Sequence, residues 1–189
     1  FLRTNNWDLI DLKLKILEHK DSMRLYHKTD THWNDDGAYL GYLKLIEKLN
    51  IRFPDIKPVD LSDFVRTEVD SVSMDLSFML GLNNIENRIV YKTKNINIIE
   101  LERRYEVPVG FSHEDLEYEI RYKNKKGLPY KVMLVRDYFS RAWLKYLWET
   151  FGEVVLIWDW KLRREMIEKE RPDILIQEMV ERDIESFLE

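Results

Sequence analysis

Val132-Met133-Leu134-Val135-Arg136-Asp137-Tyr138-Phe139-Ser140 carries the reading that decides the fold. Four apolar residues closed by two charged ones predict a short strand buried on both faces. Downstream, Phe139, Trp143, Leu147 and Phe151 recur at a spacing of four, the mark of a helix with one buried face. A second apolar run follows at Val154-Val155-Leu156-Ile157-Trp158, then a charged helix at 161–170, then Asp173-Ile174-Leu175-Ile176. Strand, helix, strand, helix, strand with short apolar strands predicts a parallel sheet covered by helices. Such sheets collect ligands at the carboxyl ends of their strands, here Arg136-Asp137-Tyr138 and, past the last strand, Glu178 and Glu181.

Upstream the pattern is less regular. Alternation of polar and apolar residues at 88–101 and 116–122 predicts antiparallel strands or hairpins, and Lys123-Asn124-Lys125-Lys126-Gly127 a solvated loop. Met74-Asp75-Leu76-Ser77-Phe78-Met79-Leu80 predicts a short helix closed by Gly81. Pro54 and Pro58 break the chain over 50–58. Residues 35–49 predict a helix with Tyr39, Tyr42, Leu43, Ile46 and Leu49 on one face. Asn34 stands at its cap, and two aspartates face the positive end of its dipole. A further helix is expected over 7–19, capped by Asn6, with Leu9, Leu12 and Ile16 as its apolar positions.

Composition limits what this frame can do. The 189 residues suit one domain, 1–189, with a real core, because 44% are hydrophobic and 13% aromatic. A net charge of −5 with both signs interspersed directs no field at nucleic acid or an anionic membrane. The absence of cysteine excludes disulfides, thiolate metal sites and a cysteine nucleophile. No apolar run approaches the roughly 18 residues of a membrane span. The chain opens on Phe1 and not Met, which predicts a piece of a longer chain, any export signal or anchor lying upstream.

The chemistry concentrates at Lys28-Thr29-Asp30-Thr31-His32-Trp33-Asn34-Asp35-Asp36-Gly37-Ala38. In an extended segment residues i and i+2 share a face about 7 Å apart. Asp30 can then hold the ring of His32 as an orienter holds a general base. The bland reading is a satisfied Asp–His hydrogen bond, with Trp33 packing the loop. His27, Asp30 and His32 could also be read as a metal cluster, but no second ligand motif accompanies them. A second constellation lies at the strand end. There a sharp strand-to-helix turn exposes one side chain and offers backbone N–H groups to an oxyanion, or else is an ordinary loop with Asp137 as a cap.

Together these segments resemble the alginate O-acetyltransferase (AlgX/AlgJ-type) branch of the SGNH hydrolase-like superfamily. The resemblance rests on Tyr26-His27-Lys28-Thr29-Asp30-Thr31-His32-Trp33-Asn34 with Gly37-Ala38, and on Asp75-Leu76 with Met79-Leu80-Gly81-Leu82. It continues through Val135-Arg136-Asp137-x-Phe139-Ser140 and Pro172-Asp173-Ile174 into Glu178-x-Val180-Glu181-Arg182, from about residue 26 to 182.

The resemblance implies a three-layer α/β/α, flavodoxin-like fold with a mainly parallel sheet, a small β-rich insertion and a permuted motif order. It implies polysaccharide O-acetylation at the cell envelope without a cofactor or a metal. Polysaccharide and an acetyl donor would be the partners, the acetyl group being handed over by a membrane-bound O-acyltransferase. Carried over, Asp30 orients His32, His32 is the base toward residue 138, and Trp33, Asn34, Arg136, Asp137 and Ser140 line the cleft. The family has serine where this chain has Tyr138. A phenol has a pKa near 10 and can act as a nucleophile. Its oxygen, however, lies several ångströms beyond the place of a serine oxygen, out of reach of donors set for serine. Ser140, about 200° further round a helix, would point elsewhere. The rival readings are a carbohydrate-binding scaffold that has lost the chemistry and a carbohydrate acetylesterase.

Overall fold

A computed structural model describes residues 8–71, 74–83, 86–94 and 97–184. The chain falls into two compact units, 1–92 and 93–189.

In the first unit, α1 (Lys13–His19) is shorter than the expected 7–19 helix. The Asp11 carboxylate accepts the Lys13 N–H, and the helix starts from that turn, leaving Leu9 and Leu12 outside it. None of its residues is buried, so no apolar face extends it; the Asn6 cap lies outside the described residues. Helix α2 (Asp35–Asn50) forms as expected, its Asn34 side chain accepting the Gly37 N–H. The buried face is Ala38, Tyr42, Leu45 and Ile46 with Leu40, whereas Tyr39, Leu43 and Leu49 sit at its half-exposed margin. Strand β1 (Phe64–Ser71) was not legible in the sequence; it pairs with β2 (Glu86–Thr93) in a two-stranded sheet. Between them α3 (Asp75–Met79) ends where Gly81 adopts a left-handed φ of 66°.

The second unit is a five-stranded mixed sheet. Its strands are β3 (Ile98–Glu100), β4 (Glu119–Asn124), β5 (Leu128–Arg136), β6 (Phe151–Trp158) and β7 (Ile174–Gln177), in the order β3-β4-β6-β5-β7. β5 runs parallel to both β6 and β7, while β4 lies antiparallel to β6 and to β3. The three apolar runs of the sequence are thus the parallel part. The remainder differs from expectation. Residues 115–118 form a helical turn, α4 (Asp115–Tyr118). The expected loop at 123–127 is strand as far as Asn124.

Register aligns Val132 with Val154 and Met133 with Val155, so the odd positions Met133, Val135, Val155 and Ile157 share one face. That face packs with Tyr118, Trp158 and Met166, the last from α6 (Arg164–Glu170). The even positions Val132, Leu134, Val154 and Leu156 are equally buried, which is why the runs are continuously apolar. The helix after β5 begins as a 3-10 turn (Phe139–Trp143) and continues as α5 (Leu144–Thr150). Phe151 therefore opens β6 and does not close the helix, its backbone being extended.

Candidate active site

The loop from 27 to 34 is held from several directions. Tyr26 and Trp33 form an isolated antiparallel bridge, closing the loop on itself. Asn34 N–H donates to Leu25 O at 2.9 Å, and the Asn34 amide nitrogen to Arg24 O at 2.7 Å. The base of the loop has no room for a side chain at Gly37. A Cβ there would stand 2.2 Å from Leu25 O.

Inside this loop Asp30 Oδ1 accepts from the backbone N–H of His32 at 3.0 Å and lies 2.6 Å from its ring Nδ1. The Asp30 carboxylate is 7% exposed. Burial pushes its pKa up, but the hydrogen bonds from the His32 ring and backbone prevail and hold it at about 2. An ionised carboxylate can only accept, so Nδ1 carries the proton. The neutral ring then presents Nε2 as its basic atom. His32 is 22% exposed at its side chain, consistent with a base that must meet a reactant.

Two acidic residues that the sequence reading did not assign build this geometry. Glu86 is buried and accepts from Lys28 N–H, Thr29 N–H, the Thr29 hydroxyl and Arg24 Nη1, all at 2.9–3.0 Å. Burial raises its pKa, but the bonds from Lys28 and Thr29 lower it below the usual range. Asp75, at the start of α3, accepts from Thr31 N–H at 2.9 Å and from the Thr31 hydroxyl at 2.5 Å. Leu76 N–H in turn donates to Thr29 O at 3.1 Å. Glu86 lies 54 residues beyond His32 and follows no cap or turn pattern, so only the fold identifies it. Asp75 carried a weak signal as a capping acid before a helix.

His27 adds no ligand to the Asp–His pair. Burial lowers its pKa, and its Nδ1 has no hydrogen-bond partner among the described residues, Glu86 being 3.8 Å away. The metal-type grouping that forms is instead Asp30, His32 and Asp75, their ligand atoms within 4.8 Å of one another. Its carboxylates already accept from His32, Thr31 and Leu76, as a hydrogen-bonded loop requires.

In the second unit, Tyr138 stands at the carboxyl end of β5 as the cap of the 3-10 turn, 42% exposed. Its ring centroid lies 5.6 Å from that of Trp158, at the end of β6. Asp137 is the organiser here. One carboxylate oxygen accepts Phe139 N–H and the other Val180 N–H, each at 2.7 Å, tying the end of β5 to the segment after β7. Phe139 N–H is thereby committed and is not an oxyanion donor. Ser140 is fully buried with its hydroxyl donating to Asp137 O at 3.3 Å. Arg136 is buried too, its guanidinium donating to Glu117 and Asp137 carbonyls and lying 5.0 Å from the Trp158 ring. Glu178, past β7, is pushed well above the carboxylate range, first by burial and second by the Asp137 charge.

The residues expected to line a cleft are buried. Trp33, Asn34, Arg136, Asp137 and Ser140 are each no more than 6% exposed, and they hold their loops from within. For Asn34, Arg136, Asp137 and Ser140 the reason is shared: each side chain bonds backbone groups at the junction of a loop with a regular element. His32 and Tyr138 alone of the expected site residues present substantial side-chain surface.

The chain matches no protein-family model, and no curated protein matches it. Solved structures do match. Bacillus cereus PatB1, solved with a sulfonyl adduct, superposes with a TM-score of 0.65 at 18% identity, over 89% of this chain and 65% of that one. A DHHW family protein from Eubacterium siraeum gives 0.68 at 12% identity, over 89% and 62%. The O-acetyltransferase domain of Pseudomonas putida AlgJ gives 0.56 at 14% identity, over 97% and 62%. The chain spans less than two thirds of the length of each. The fold is thus the α/β fold shared by PatB1 and the AlgJ O-acetyltransferase domain, as the motif resemblance implied.

Proposed function

We propose that this chain is an O-acetyltransferase-type acyl-transfer domain acting on a polysaccharide at the cell envelope, with Asp30 and His32 as its orienter and base. The observation that carries the proposal is the Asp30–His32 pair, a buried ionised carboxylate 2.6 Å from the ring nitrogen of a partly exposed histidine. The fold shared with the O-acetyltransferase domain of AlgJ supports it.

In this reading an oxygen nucleophile attacks the acetyl carbonyl carbon while His32 takes its proton. The tetrahedral intermediate collapses, the donor oxygen leaves with that proton, and the acetyl group stays on the nucleophile. A glycan hydroxyl then repeats the sequence as acceptor, giving its proton to His32 and returning the nucleophile to its starting form. Asp30 supplies orientation and stabilises the imidazolium. The family resemblance places the nucleophile at position 138, where tyrosine stands. Loss of a triad nucleophile lowers turnover by about 10⁶, so the native chain is a slow or silent enzyme.

A second reading, a glycan-binding module that keeps the fold without turnover, draws on the same Tyr138, whose ring packs beside Trp158. The experiment is p-nitrophenyl acetate hydrolysis by the unmodified chain, Tyr138→Ser and Tyr138→Ser/His32→Ala. Turnover in the serine variant that disappears in the double variant supports acyl transfer. No turnover in the serine variant, with glycan binding by the unmodified chain, favours the binding module. Product analysis with and without an oligosaccharide acceptor separates transferase from esterase.

A further inference from the structure

At the carboxyl end of β6, within the second unit, lies a cavity of about 240 Å³. Its walls are the rings of Phe111, His113, Tyr118, Trp158 and Trp160, and its polar side is formed by Asp159 and Arg163. The rings hold one another in place: His113 stacks at 4.0 Å on Trp158, and Phe111 meets Trp158 edge-on at 5.8 Å and Tyr118 at 5.4 Å. Arg163 Nε donates to Asp159, an ion pair that holds both side chains at the rim. Gln177, at the end of β7, donates to Trp160 O at 2.9 Å and fixes the backbone that carries the open indole. Trp158 also touches Tyr138, so the cavity borders the strand end described above.

The lining selects among ligand classes. An apolar ligand would bury the Asp159–Arg163 pair against groups that cannot hydrogen-bond, which is unfavourable. An anion would meet the Asp159 carboxylate, and a cation the Arg163 guanidinium. A ring with apolar faces and hydroxyl edges satisfies both sides: its faces lie on indole and phenyl, its hydroxyls donate to Asp159 and accept from Arg163. The volume lies below the roughly 300 Å³ at which pockets for drug-sized ligands begin. It suits one ring of a longer chain, and the strand-end location is where open α/β sheets take their ligands.

We propose that this cavity is a subsite for one uncharged pyranose unit of a glycan chain. It rests on the polysaccharide reading above and specifies which sugar chemistry that reading involves. The test is saturation-transfer NMR and calorimetric titration of the unmodified chain with a neutral β-1,4-linked glucose or N-acetylglucosamine tetramer, and with an oligomannuronate of the same length. Saturable binding of a neutral tetramer is expected, weakened about tenfold by Asp159→Asn and similarly by Trp160→Ala. A third variant, Ser112→Trp, at a position that also lines the cavity, fills it while leaving the ion pair and both indoles in place, and should abolish binding. Thermal melts confirm that each variant is folded. Absence of binding by both neutral tetramers overturns the proposal, as does binding unchanged in the three variants or an equal preference for oligomannuronate. Ester hydrolysis by Tyr138→Ser is read without any sugar. Turnover without sugar binding would therefore overturn the subsite alone, and sugar binding without turnover would overturn acyl transfer alone.

Discussion

A single oxygen of Asp30 holds His32 at two points, its backbone N–H at 3.0 Å and its ring Nδ1 at 2.6 Å. The backbone bond sets the turn and the ring bond sets the tautomer, so one side chain determines both where the imidazole sits and which nitrogen is basic. Asp30→Asn keeps the size of the side chain but presents an amide that can donate to Nδ1 and favour the other tautomer. In the Tyr138→Ser background it should lower ester turnover by about 10⁴, while the unit still folds. Histidine ¹⁵N shifts report the tautomer directly.

Acid should weaken the same loop. Because the folded pKa of Asp30 is depressed to about 2, below its unfolded value near 3.9, its stabilisation is present above pH 4 and is lost as pH falls through about 2. Denaturant melts between pH 5 and pH 2 should show a steeper loss in the unmodified chain than in Asp30→Asn. Parallel curves would contradict the assignment.

Glu86 is the residue on which the loop most depends. Glu86→Ala leaves Lys28 and Thr29 N–H groups and the Thr29 hydroxyl without their acceptor and should cost about 3 kcal/mol. Gly37→Ala should cost about 1–3 kcal/mol or more, because the new Cβ meets backbone and not a movable side chain. Chemical denaturation of the two variants checks both figures.

Glu178 has the opposite sign to Asp30. Its carboxyl pKa is raised by burial and by Asp137, so the stability it allows is complete below its unfolded pKa near 4.3 and falls as pH rises toward the folded value. Glu178→Gln has nearly the same shape and no proton to lose. It should be more stable than the unmodified chain at pH 7–8 and indistinguishable from it at pH 4, measured by thermal melting.

The buried ion network of the sheet gives a further check. Arg121 Nη2 binds Glu119 at 2.8 Å and Glu170 at 2.6 Å, Lys131 binds Glu170 at 2.6 Å, and the Tyr105 hydroxyl donates to Glu170 at 2.9 Å. Glu170→Ala leaves Arg121 buried without one of its two buried carboxylate partners and should destabilise by about 3–5 kcal/mol, read from the shift in denaturation midpoint.

This network also shows where sequence reasoning stopped. The runs at 132–135 and 154–158 were legible because strands buried on both faces must be apolar throughout. Strand β4 is equally interior, but Arg121 is buried between the carboxylates of Glu119 and of Glu170, the latter 49 residues further on, so its alternation imitates a solvent-facing hairpin. The Asp30–His32 pair was legible because its partners are two residues apart. Glu86 was not, since nothing local marks a carboxylate whose work is to gather backbone N–H groups from a loop far upstream. Trp33, Asn34, Arg136, Asp137 and Ser140, expected to line a cleft, are buried instead. Sequence locates a loop–element junction more readily than it reveals which side chain satisfies that junction from inside.

The most direct test of the account is the intact mass of Tyr138→Ser after reaction with p-nitrophenyl acetate, followed by peptide mapping. An added acetyl group on residue 138 is expected, absent when His32→Ala is combined with the serine. No acetyl group in the serine variant, or one that persists without His32, would contradict it.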